Sequence, residues 1–312
     1  MQQTGRNAPL VALVFGIAIL FSLGMFFYEL KAVRSATEAT FRYRAKVIDY
    51  YINARIQDVD AMARAFVQHY AYAPERGFGR LRREPKFGGW ALSGFESEGG
   101  VAGLAGSASG LGDLPSGSVR RELAAALTLD AQIRSVLEFN NEVSWIYYMS
   151  AQRFVYIAPK IPVADFHFTD GLYEKPFWWM ATPAFNPQSK QIISNLHEDA
   201  AGKGLMITIS SPIVIERKFV GVVSLDLGIQ LLQRLITTGR APGETILISN
   251  DGQVVARAGN FSMYERYRIP LVMQDWSRQE DGRLWLSSEA GRKQLRVLHR
   301  VSPIEIYREA AL

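Results

Sequence analysis

The hydrophobic pattern at the start of the chain predicts one membrane-crossing helix. No charged residue occurs from Asn7 through Tyr28, and the stretch 9–28 is apolar apart from one serine and two glycines. About twenty such residues, rising 1.5 Å each, cross a hydrocarbon core of about 30 Å. The run is longer than the 7–15 residues typical of a signal-peptide core, and no A-x-A-like cleavage site follows it. We therefore interpret residues 1–30 as a cytoplasmic tip and an uncleaved membrane anchor, rather than as a cleaved signal peptide.

Residues 31–72 have the repeat of a long amphipathic helix. Neither proline nor glycine occurs between residues 29 and 72, and apolar residues recur mostly at steps of three and four. This pattern predicts a continuous stalk helix, whose apolar face packs either on the domain that it carries or on a second copy of the chain. Small residues four apart in the anchor also favour a homodimer formed through the stalk and the membrane helix. The apolar stripe consists of Phe41, Ile48, Ile52, Ile56, Val59, Ala63, Phe66 and Tyr70.

The rest of the chain has the alternation of two antiparallel sheets, which predicts an α+β fold. In the first module, residues 73–238, an insertion at 73–118 is expected to be a partly ordered surface loop, because twelve of the 26 glycines lie there. The second module, residues 239–306, begins with a strand and an Asn-Asp-Gly turn, and residues 307–312 are expected to start an exit helix. Strands are predicted at 143–149, 154–158, 191–196, 204–213, 219–225, 244–248, 253–258, 284–288 and 293–301, and helices at 119–140 and 227–236.

The composition excludes several kinds of catalytic and metal site. The chain has no cysteine, which excludes disulfides, thiolate metal sites and cysteine nucleophiles. Its four histidines, His69, His167, His197 and His299, are far apart in the sequence and share no metal-ligand spacing. No P-loop, H-E-x-x-H motif or dinucleotide-binding glycine pattern is present. The sequence therefore predicts no enzyme activity, no cofactor and no metal site in this chain.

The charge pattern does not favour nucleic-acid binding. The formal net charge is +5 and the pI about 9.3, but the charges lie in short mixed clusters without a run of five or six of one sign. Such clusters are typical of a solvated surface, with additional basic residues beside a membrane segment.

Five segments resemble double-Cache domains, the PAS-like extracytoplasmic sensors of bacterial transmembrane signalling proteins. Residues 145–159 (WIYYMSAQRFVYIAP) look like a hairpin of that family, and residues 175–187 (KPFWWMATPAFNP) resemble its pocket-lining segment. The most specific match is residues 199–213 (DAAGKGLMITISSPI) followed by residues 219–232 (FVGVVSLDLGIQLL). Residues 244–256 (ETILISNDGQVVA) resemble the start of the membrane-proximal module.

The resemblance implies a sensor with two PAS-like modules in the bacterial inner membrane, single-pass as given, with its bulk in the periplasm. The distal module would bind a small molecule. A second transmembrane helix, expected where this chain ends, would lead to a cytoplasmic histidine kinase, diguanylate cyclase or chemoreceptor output module. The alternatives are a membrane-tethered binding or scaffold protein without output, and an anchored hydrolase.

The resemblance also implies a set of ligand-binding residues. Amino-acid-binding members of the family carry an arginine followed by aromatic residues, then a tyrosine and an aspartate. The matching positions in this chain are Lys175, Phe177, Trp178, His197 and Asp199. A lysine in place of the arginine holds a carboxylate as a point charge and lacks the two-pronged geometry of a guanidinium group.

The residue types leave some roles in the site open. A ligand pocket needs apolar walls with a few aimed polar groups. Tyr156 and one of Tyr147 and Tyr148 are expected to supply walls, since neighbours in a strand point to opposite faces, and we assign Tyr148 to the pocket. Asp199 either binds a ligand ammonium group or caps the turn that follows it. Asp226, just before a predicted helix, is interpreted as the N-cap of that helix.

Overall fold

A single N-terminal helix, α1, runs without a break from Ala8 to His69, over 62 residues. It is the longest element of the computed structural model, which describes residues 8–73, 81–84, 87–92, 104–110, 112, 117–258, 279–280 and 283–311. An 18-residue window near its N-terminus has a mean hydropathy of 2.6, and none of that window is buried. By length and composition this part fits a transmembrane anchor. The predicted anchor and stalk are therefore parts of one helix.

The first sheet is antiparallel throughout and occupies the middle of the chain. Its described strands are β1 (Arg82–Glu84), β2 (Gly89–Leu92), β3 (Ser107–Gly110), β4 (Val143–Ser150), β5 (Phe154–Ala158), β6 (Ile192–Ile193), β7 (His197–Glu198), β8 (Leu205–Ile215) and β9 (Lys218–Gly228). They lie in the order β1-β2-β3-β5-β4-β9-β8-β6, and β7 also pairs with β8. The long strands β4, β8 and β9 thus form the centre of the sheet.

A second, smaller antiparallel sheet follows, with the order β11-β10-β14-β13-β12. Its strands are β10 (Glu244–Ser249), β11 (Val254–Arg257), β12 (Gln279–Glu280), β13 (Arg283–Ala290) and β14 (Leu295–Val301). The shorter helices are α2 (Gly117–Thr128), α3 (Asp130–Phe139), α4 (Pro176–Trp179), α5 (Ile229–Thr237) and α6 (Pro303–Ala310). Helices and two antiparallel sheets confirm the α+β prediction.

The glycine-rich segment 73–118 differs from the expected surface loop wherever it is described. Its strands β1 to β3 extend the first sheet beyond β5, and Leu92 and Ala108 are buried in that extension. Small residues are needed there because the strands approach closely: a Cβ on Gly106 would lie 2.4 Å from the carbonyl oxygen of Ile157. Gly89, Gly106 and Gly110 therefore serve strand packing, which composition alone does not distinguish from a flexible linker. The rest of the segment lies outside the described residues.

The apolar stripe of α1 is buried against the chain's own two sheets. Ile48, Ile52, Ile56, Val59 and Phe66 are all fully buried, and they belong to a hydrophobic cluster that includes residues of both sheets. The helix packs on β13 of the second sheet and on β8 and β9 of the first. Over these turns the stripe therefore packs on the carried domain, and pairing with a second copy on other turns stays a prediction. Both sheets share one core along this helix.

The joint between the sheets is bonded to α1 through a buried arginine. The Arg44 guanidinium donates to the backbone oxygens of Thr238 and Gly239 at 2.7 Å each, just after α5 ends. It also donates to the Thr245 hydroxyl, 2.7 Å away, at the start of β10. All three acceptors are neutral, so Arg44 holds the joint by hydrogen bonds to backbone and hydroxyl groups and not by an ion pair.

Replacing a stripe residue is expected to destabilise the whole chain. Ile52→Ala removes a fully buried side chain from the shared core, and we expect the free energy of unfolding to fall by about 2–5 kcal/mol. Urea unfolding of the purified chain in detergent, followed by tryptophan fluorescence, measures this change. Tyr50→Ala, on the exposed face of the same helix at 80% exposure, is the control and should change the free energy by less than about 0.5 kcal/mol. Equal effects of the two variants would contradict the packing of the stripe on the sheets.

Candidate functional site

The aromatic side chains of β4 and β5 alternate between the two faces of the sheet and pack in two different layers. Trp145, Tyr147 and Met149 face a cluster formed with the segment that connects β5 to β8, called here the connecting segment (residues 159–204). Tyr148 and Tyr156 pair directly across the two strands and face the layer of α1. Because side chains in a strand alternate between faces, each of the two layers receives every second residue.

A small cavity lies between the first sheet and the connecting segment. Its volume is about 20 Å³, room for roughly one water molecule. Its walls are mostly apolar, and its polar groups converge from β7, from β9 and from the turn before β8. It is lined by Trp145, Tyr147, Met149, Val155, Ile157, Phe166, Leu172, Phe177, His197, Asp199, Ala200 and Asp226.

The carboxyl group of Asp226 lies at the floor of this cavity, on strand β9. It is buried, with 4% exposure, and accepts hydrogen bonds at Oδ1 from the Thr208 hydroxyl at 2.6 Å and the Tyr147 hydroxyl at 3.2 Å. Burial raises the pKa of Asp226 to about 8, and the nearby Asp199 carboxylate adds to the shift, against the hydrogen bonds and Lys203. A carboxyl group with this pKa holds a proton near neutral pH unless a cation approaches it.

The interpretation of Asp226 as an N-cap is wrong. Helix α5 begins at Ile229, its N-cap residue is Gly228, and no side chain caps it. Asp226 instead pairs with Thr208 and Trp145 across the strands, in the middle of the sheet. The strand continues three residues further than its apolar pattern indicated, which moves the carboxyl from the helix end to the cavity face.

Asp199 is held by its own turn and by the cavity wall. Its Oδ1 accepts from the Ala201 amide at 3.0 Å, and its Oδ2 accepts from the Lys203 amide at 2.7 Å and from the Trp145 indole at 3.0 Å. The Lys203 ammonium group lies 3.4 Å from the centre of the Trp145 ring and donates to the backbone oxygen of Ser144 at 2.7 Å. The turn-capping role of Asp199 is therefore present, and the same carboxylate lines the cavity mouth.

His197 connects the floor of the cavity to the connecting segment. Its Nδ1 lies 3.1 Å from the backbone oxygen of Asn195, which can only accept, so Nδ1 carries the proton. Its Nε2 lies 3.4 Å from the Thr208 hydroxyl, the group that also bonds Asp226. Burial lowers the pKa of His197, which favours the neutral ring and leaves Nε2 as an acceptor.

The structure brings three of the seven predicted site residues to the cavity, namely Phe177, His197 and Asp199. The Phe177 ring packs edge-on against Tyr147, with 5.4 Å between the ring centres, and forms an apolar wall. Lys175 is not among the lining residues, but its ammonium group donates to the backbone oxygen of Glu198 at 3.2 Å, directly beside His197 and Asp199.

The other three predicted residues lie away from the cavity. Tyr148 is fully buried against Phe66 of α1, 4.3 Å between ring centres, and donates to Glu122 at 2.9 Å. Tyr156, on the same face, donates to Asp130 at 2.6 Å. Trp178 packs in the layer of the connecting segment, against the rings of Tyr173 and Phe219. The assignment of Tyr148 to the cavity is thus corrected in favour of its neighbour Tyr147, and Tyr148 and Tyr156 instead belong to the stalk-facing core.

Sequence reasoning missed a row of polar residues across the centre of the sheet, of which Asp226 lines the cavity. Thr208 and Ser210 on β8 lie opposite Asp226 and Ser224 on β9, and all four are buried. Thr208 and Ser210 are two residues apart in β8, and Ser224 and Asp226 are two residues apart in β9. All four side chains therefore point to the same face of the sheet. The alternation of polar and apolar residues in these two strands was the signal that could have identified this polar row.

Comparison with known proteins identifies the fold. No protein-family model matches the chain, and no curated protein sequence does. The ligand-binding domain of the Pseudomonas fluorescens chemoreceptor CtaA, in complex with L-isoleucine, matches with a TM-score of 0.53 and 16% identity, covering 90% of this chain and 94% of that chain. The domain of the Pseudomonas aeruginosa PAO1 amino acid chemoreceptor PctB, in complex with L-Arg, matches at 0.53 and 14%, covering 89% and 90%. The sensory domain of the Campylobacter jejuni chemoreceptor Tlp3 (CcmL) matches at 0.52 and 13%, covering 90% and 98%.

The chain has the fold of a chemoreceptor ligand-binding domain. The double-Cache resemblance is confirmed at the level of the fold, since sequence identity to these domains is low. This fold follows an apolar N-terminal helix segment that fits a transmembrane anchor by length and composition.

The raised pKa of Asp226 predicts a pH dependence of stability. Between the unperturbed value of 3.8 and about 8, the folded chain keeps a proton that the unfolded chain releases, so this group's contribution to the free energy of unfolding falls as pH rises. Above about pH 8 the contribution is constant. Asp226→Asn removes this slope, so the variant should gain stability relative to the natural chain as pH rises from about 5 to about 8. Urea unfolding over that range measures the difference.

The buried histidines titrate in both proteins, so their contributions cancel in the difference between the free energies of unfolding of the variant and the natural chain. The matched control is Asp170→Asn, whose side chain is 57% exposed and paired with the exposed Arg153. Its stability should run parallel to that of the natural chain at every pH. Parallel curves for Asp226→Asn as well would show that Asp226 is ionised in the folded chain.

Proposed function

We propose that this chain is an extracytoplasmic sensor that binds a small molecule with a positively charged amine in the cavity of its first sheet. The observation that carries the proposal is the buried carboxyl of Asp226 at the floor of an apolar cavity. A buried carboxylate without a cation is costly, so a ligand ammonium group that replaces the proton recovers a strong interaction. The apolar walls would then select the rest of the ligand.

The neighbouring groups support the choice of an amine. The carboxyl groups of Asp199 and Asp226 both line the cavity, so its polar side offers an amine a second negative charge once Asp226 releases its proton. CtaA and PctB, which share the fold, are chemoreceptor domains in complex with L-isoleucine and L-Arg, both of which carry an α-ammonium group. Lys175, bonded to the backbone beside the cavity, is positioned to attract the carboxylate of such a ligand.

Ligand entry requires the connecting segment to move outward. A cavity of about 20 Å³ is much too small for an amino acid, and its outer wall includes Phe166, Leu172 and Phe177 of that segment. The same residues would close over a bound ligand and exclude water. Ligand binding can shift the structure only as far as the ligand's differential affinity for the two arrangements allows.

The arrangement along α1 supports a distal position for this cavity. Arg44 bonds residues at the joint with the second sheet, whereas Phe66, about 33 Å further along the helix, packs on the first sheet. The second sheet therefore lies nearer to the apolar anchor. We infer that the signal passes from the first sheet to the second and then through membrane helices, in a homodimer, to a cytoplasmic output module.

A ligand panel tests the proposed chemistry directly. The purified chain in detergent is screened by thermal unfolding against L-amino acids, biogenic amines, organic acids and nucleobases. A ligand at about 100 times its dissociation constant adds about 2.7 kcal/mol to the free energy of unfolding, and we expect such a response from one or more amines. No response across the panel would contradict a small-molecule sensor of this kind.

Asp226→Asn and Asp170→Asn separate ligand recognition from general stability. The first variant keeps the shape of the cavity but has no carboxyl group at position 226 that can give up its proton and pair with an ammonium group, so the best amine should bind at least about tenfold more weakly. The second should bind it unchanged, because Asp170 is exposed and is not among the cavity residues. A response to organic acids alone, or equal binding by both variants, would contradict the cationic ligand.

The proposed membrane topology is tested by cysteine labelling, because the chain has no cysteine of its own. Ala184→Cys, at an exposed position of the connecting segment, should react with a membrane-impermeant maleimide on intact spheroplasts. Gln2→Cys, on the other side of the anchor, should react only after permeabilisation. The reverse labelling pattern would place the sheets in the cytoplasm, and loss of residue 2 from the mature chain would indicate a cleaved signal peptide.

A further inference from the structure

The part of the connecting segment that carries His197 and Asp199 lies at an edge of the first sheet. Residues 191–199, called here the edge segment, pair with β8 on one side through β6 and β7. Along an edge strand, alternate backbone groups point away from the sheet and need other partners. Two glutamines of the second sheet supply partners for this edge segment.

Gln294 and Gln253 bond the backbone of the edge segment. The Gln294 side chain accepts from the Ile193 amide at 2.7 Å and donates to the Gln191 carbonyl at 3.0 Å, so it serves the backbone of the edge segment as both acceptor and donor. The Gln253 side chain accepts from the Leu196 amide at 3.0 Å, one residue before His197. These bonds join residues that are 57 to 103 positions apart in the sequence.

The turn between β13 and β14 adds a steric contact at the same place. Gly291 has φ +59°, and a Cβ there would lie 2.7 Å from Ile52 of the stalk and 2.9 Å from Ile193 of the edge segment. Arg292 donates to the Gln191 side chain at 2.8 Å and lies 3.3 Å from the Asp60 carboxylate. The stalk, the second sheet and the edge segment therefore meet at this turn.

We propose that Gln253 and Gln294 are positioning residues for the cavity, which they reach only through the edge segment. They hold the backbone from which His197 and Asp199 project, so the geometry of the cavity and the seating of the second sheet are thermodynamically coupled. This inference rests on the proposed function, because it gives the route by which cavity closure acts on the second sheet. Coupling of this kind is reciprocal: a change at either end alters the other.

The physical basis of the coupling is a series of contacts from the cavity to the second sheet, which are hydrogen bonds except for the 3.4 Å contact between the Thr208 hydroxyl oxygen and His197 Nε2. Asp226 bonds Thr208, Thr208 contacts His197, and the His197 ring bonds Asn195, which is next to the Leu196 amide held by Gln253. A displacement of His197 by a ligand is thus transmitted through the backbone of Asn195 and Leu196 to the second sheet. Weakening the glutamine bonds should loosen the edge segment while the sheet beneath it stays intact.

Hydrogen–deuterium exchange of the full chain in lipid nanodiscs tests the coupling without any ligand. In Gln253→Ala and Gln294→Ala, each measured alone, we expect amides of residues 191–199 to exchange roughly 2- to 10-fold faster, as the loss of one backbone bond predicts. Amides in the β8–β9 pair should be unchanged. In the reciprocal experiment, His197→Ala should speed exchange at the turn of residues 290–295.

Two control variants distinguish positioning from a general loss of packing. Asn250→Ala removes a 2.8 Å bond to the Lys293 carbonyl within the second sheet, without touching the edge segment, and should leave exchange at 191–199 unchanged. Gln253→Glu keeps an oxygen that can accept from the Leu196 amide, so it should restore the slow exchange that Gln253→Ala loses.

Each outcome decides for or against the proposal. Unchanged exchange at 191–199 in both alanine variants overturns it, as does equal acceleration by Asn250→Ala. If an alanine variant shows faster exchange over the whole chain, its result reflects a general loss of stability, and Gln253→Glu becomes the deciding variant. Fast exchange of the Leu196 amide in Gln253→Glu then overturns the proposal. Because no arm uses a ligand, failure of the amine screen leaves this result standing, and failure here leaves ligand binding intact.

Discussion

Burial of one side of the stalk helix is the interaction on which the rest of the structure depends. Its isoleucines, together with Val59 and Phe66, are inaccessible to solvent and contact both sheets. At about 25 cal/mol per Å² of apolar surface, each such side chain contributes about 1.5–3 kcal/mol to stability. Neither sheet closes its core without the helix, so the two modules are parts of one cooperative unit. The same helix continues into the apolar N-terminal segment, which connects that core mechanically to the anchor.

The polar row that ends at Asp226, beside the cavity, lowers the free energy of unfolding relative to an apolar row. A row of serine, threonine and aspartic acid side chains crosses the centre of the first sheet, where apolar residues would pack without a desolvation cost. The Ser210 and Ser224 hydroxyls bond each other at 2.8 Å, and Thr208 bonds Asp226, so the row is internally satisfied. A fold that retains such a row, with a carboxyl group of raised pKa at one end, has the features of a recognition site rather than of a structural core.

The sequence predicted the elements better than it predicted their faces. The three- and four-residue spacing from Phe41 to Tyr70 identified the stalk helix and the side that is buried, because one side is apolar and the other is charged. In β4 the residues on both faces are aromatic or apolar, so alternation separated Tyr147 from Tyr148 without showing which one faced the cavity. Asp226 was misplaced because its strand runs to Gly228, and strand ends are poorly marked where a helix follows directly. The glutamine contacts of the edge segment join distant parts of the chain, and no local pattern encodes them.

The small volume of the cavity has a kinetic meaning for a sensor. Under the proposed function, a ligand of amino-acid size would enter only when the connecting segment has opened, so its observed association rate would be the diffusional rate multiplied by the fraction of open molecules. At high ligand concentration that rate reaches a ceiling set by the opening step itself. Segment motions of this size take microseconds to milliseconds. Under the proposed function, changes in ligand concentration faster than opening would be averaged out before they reach the membrane, so the closed cavity would filter signals by their duration as well as by their chemistry.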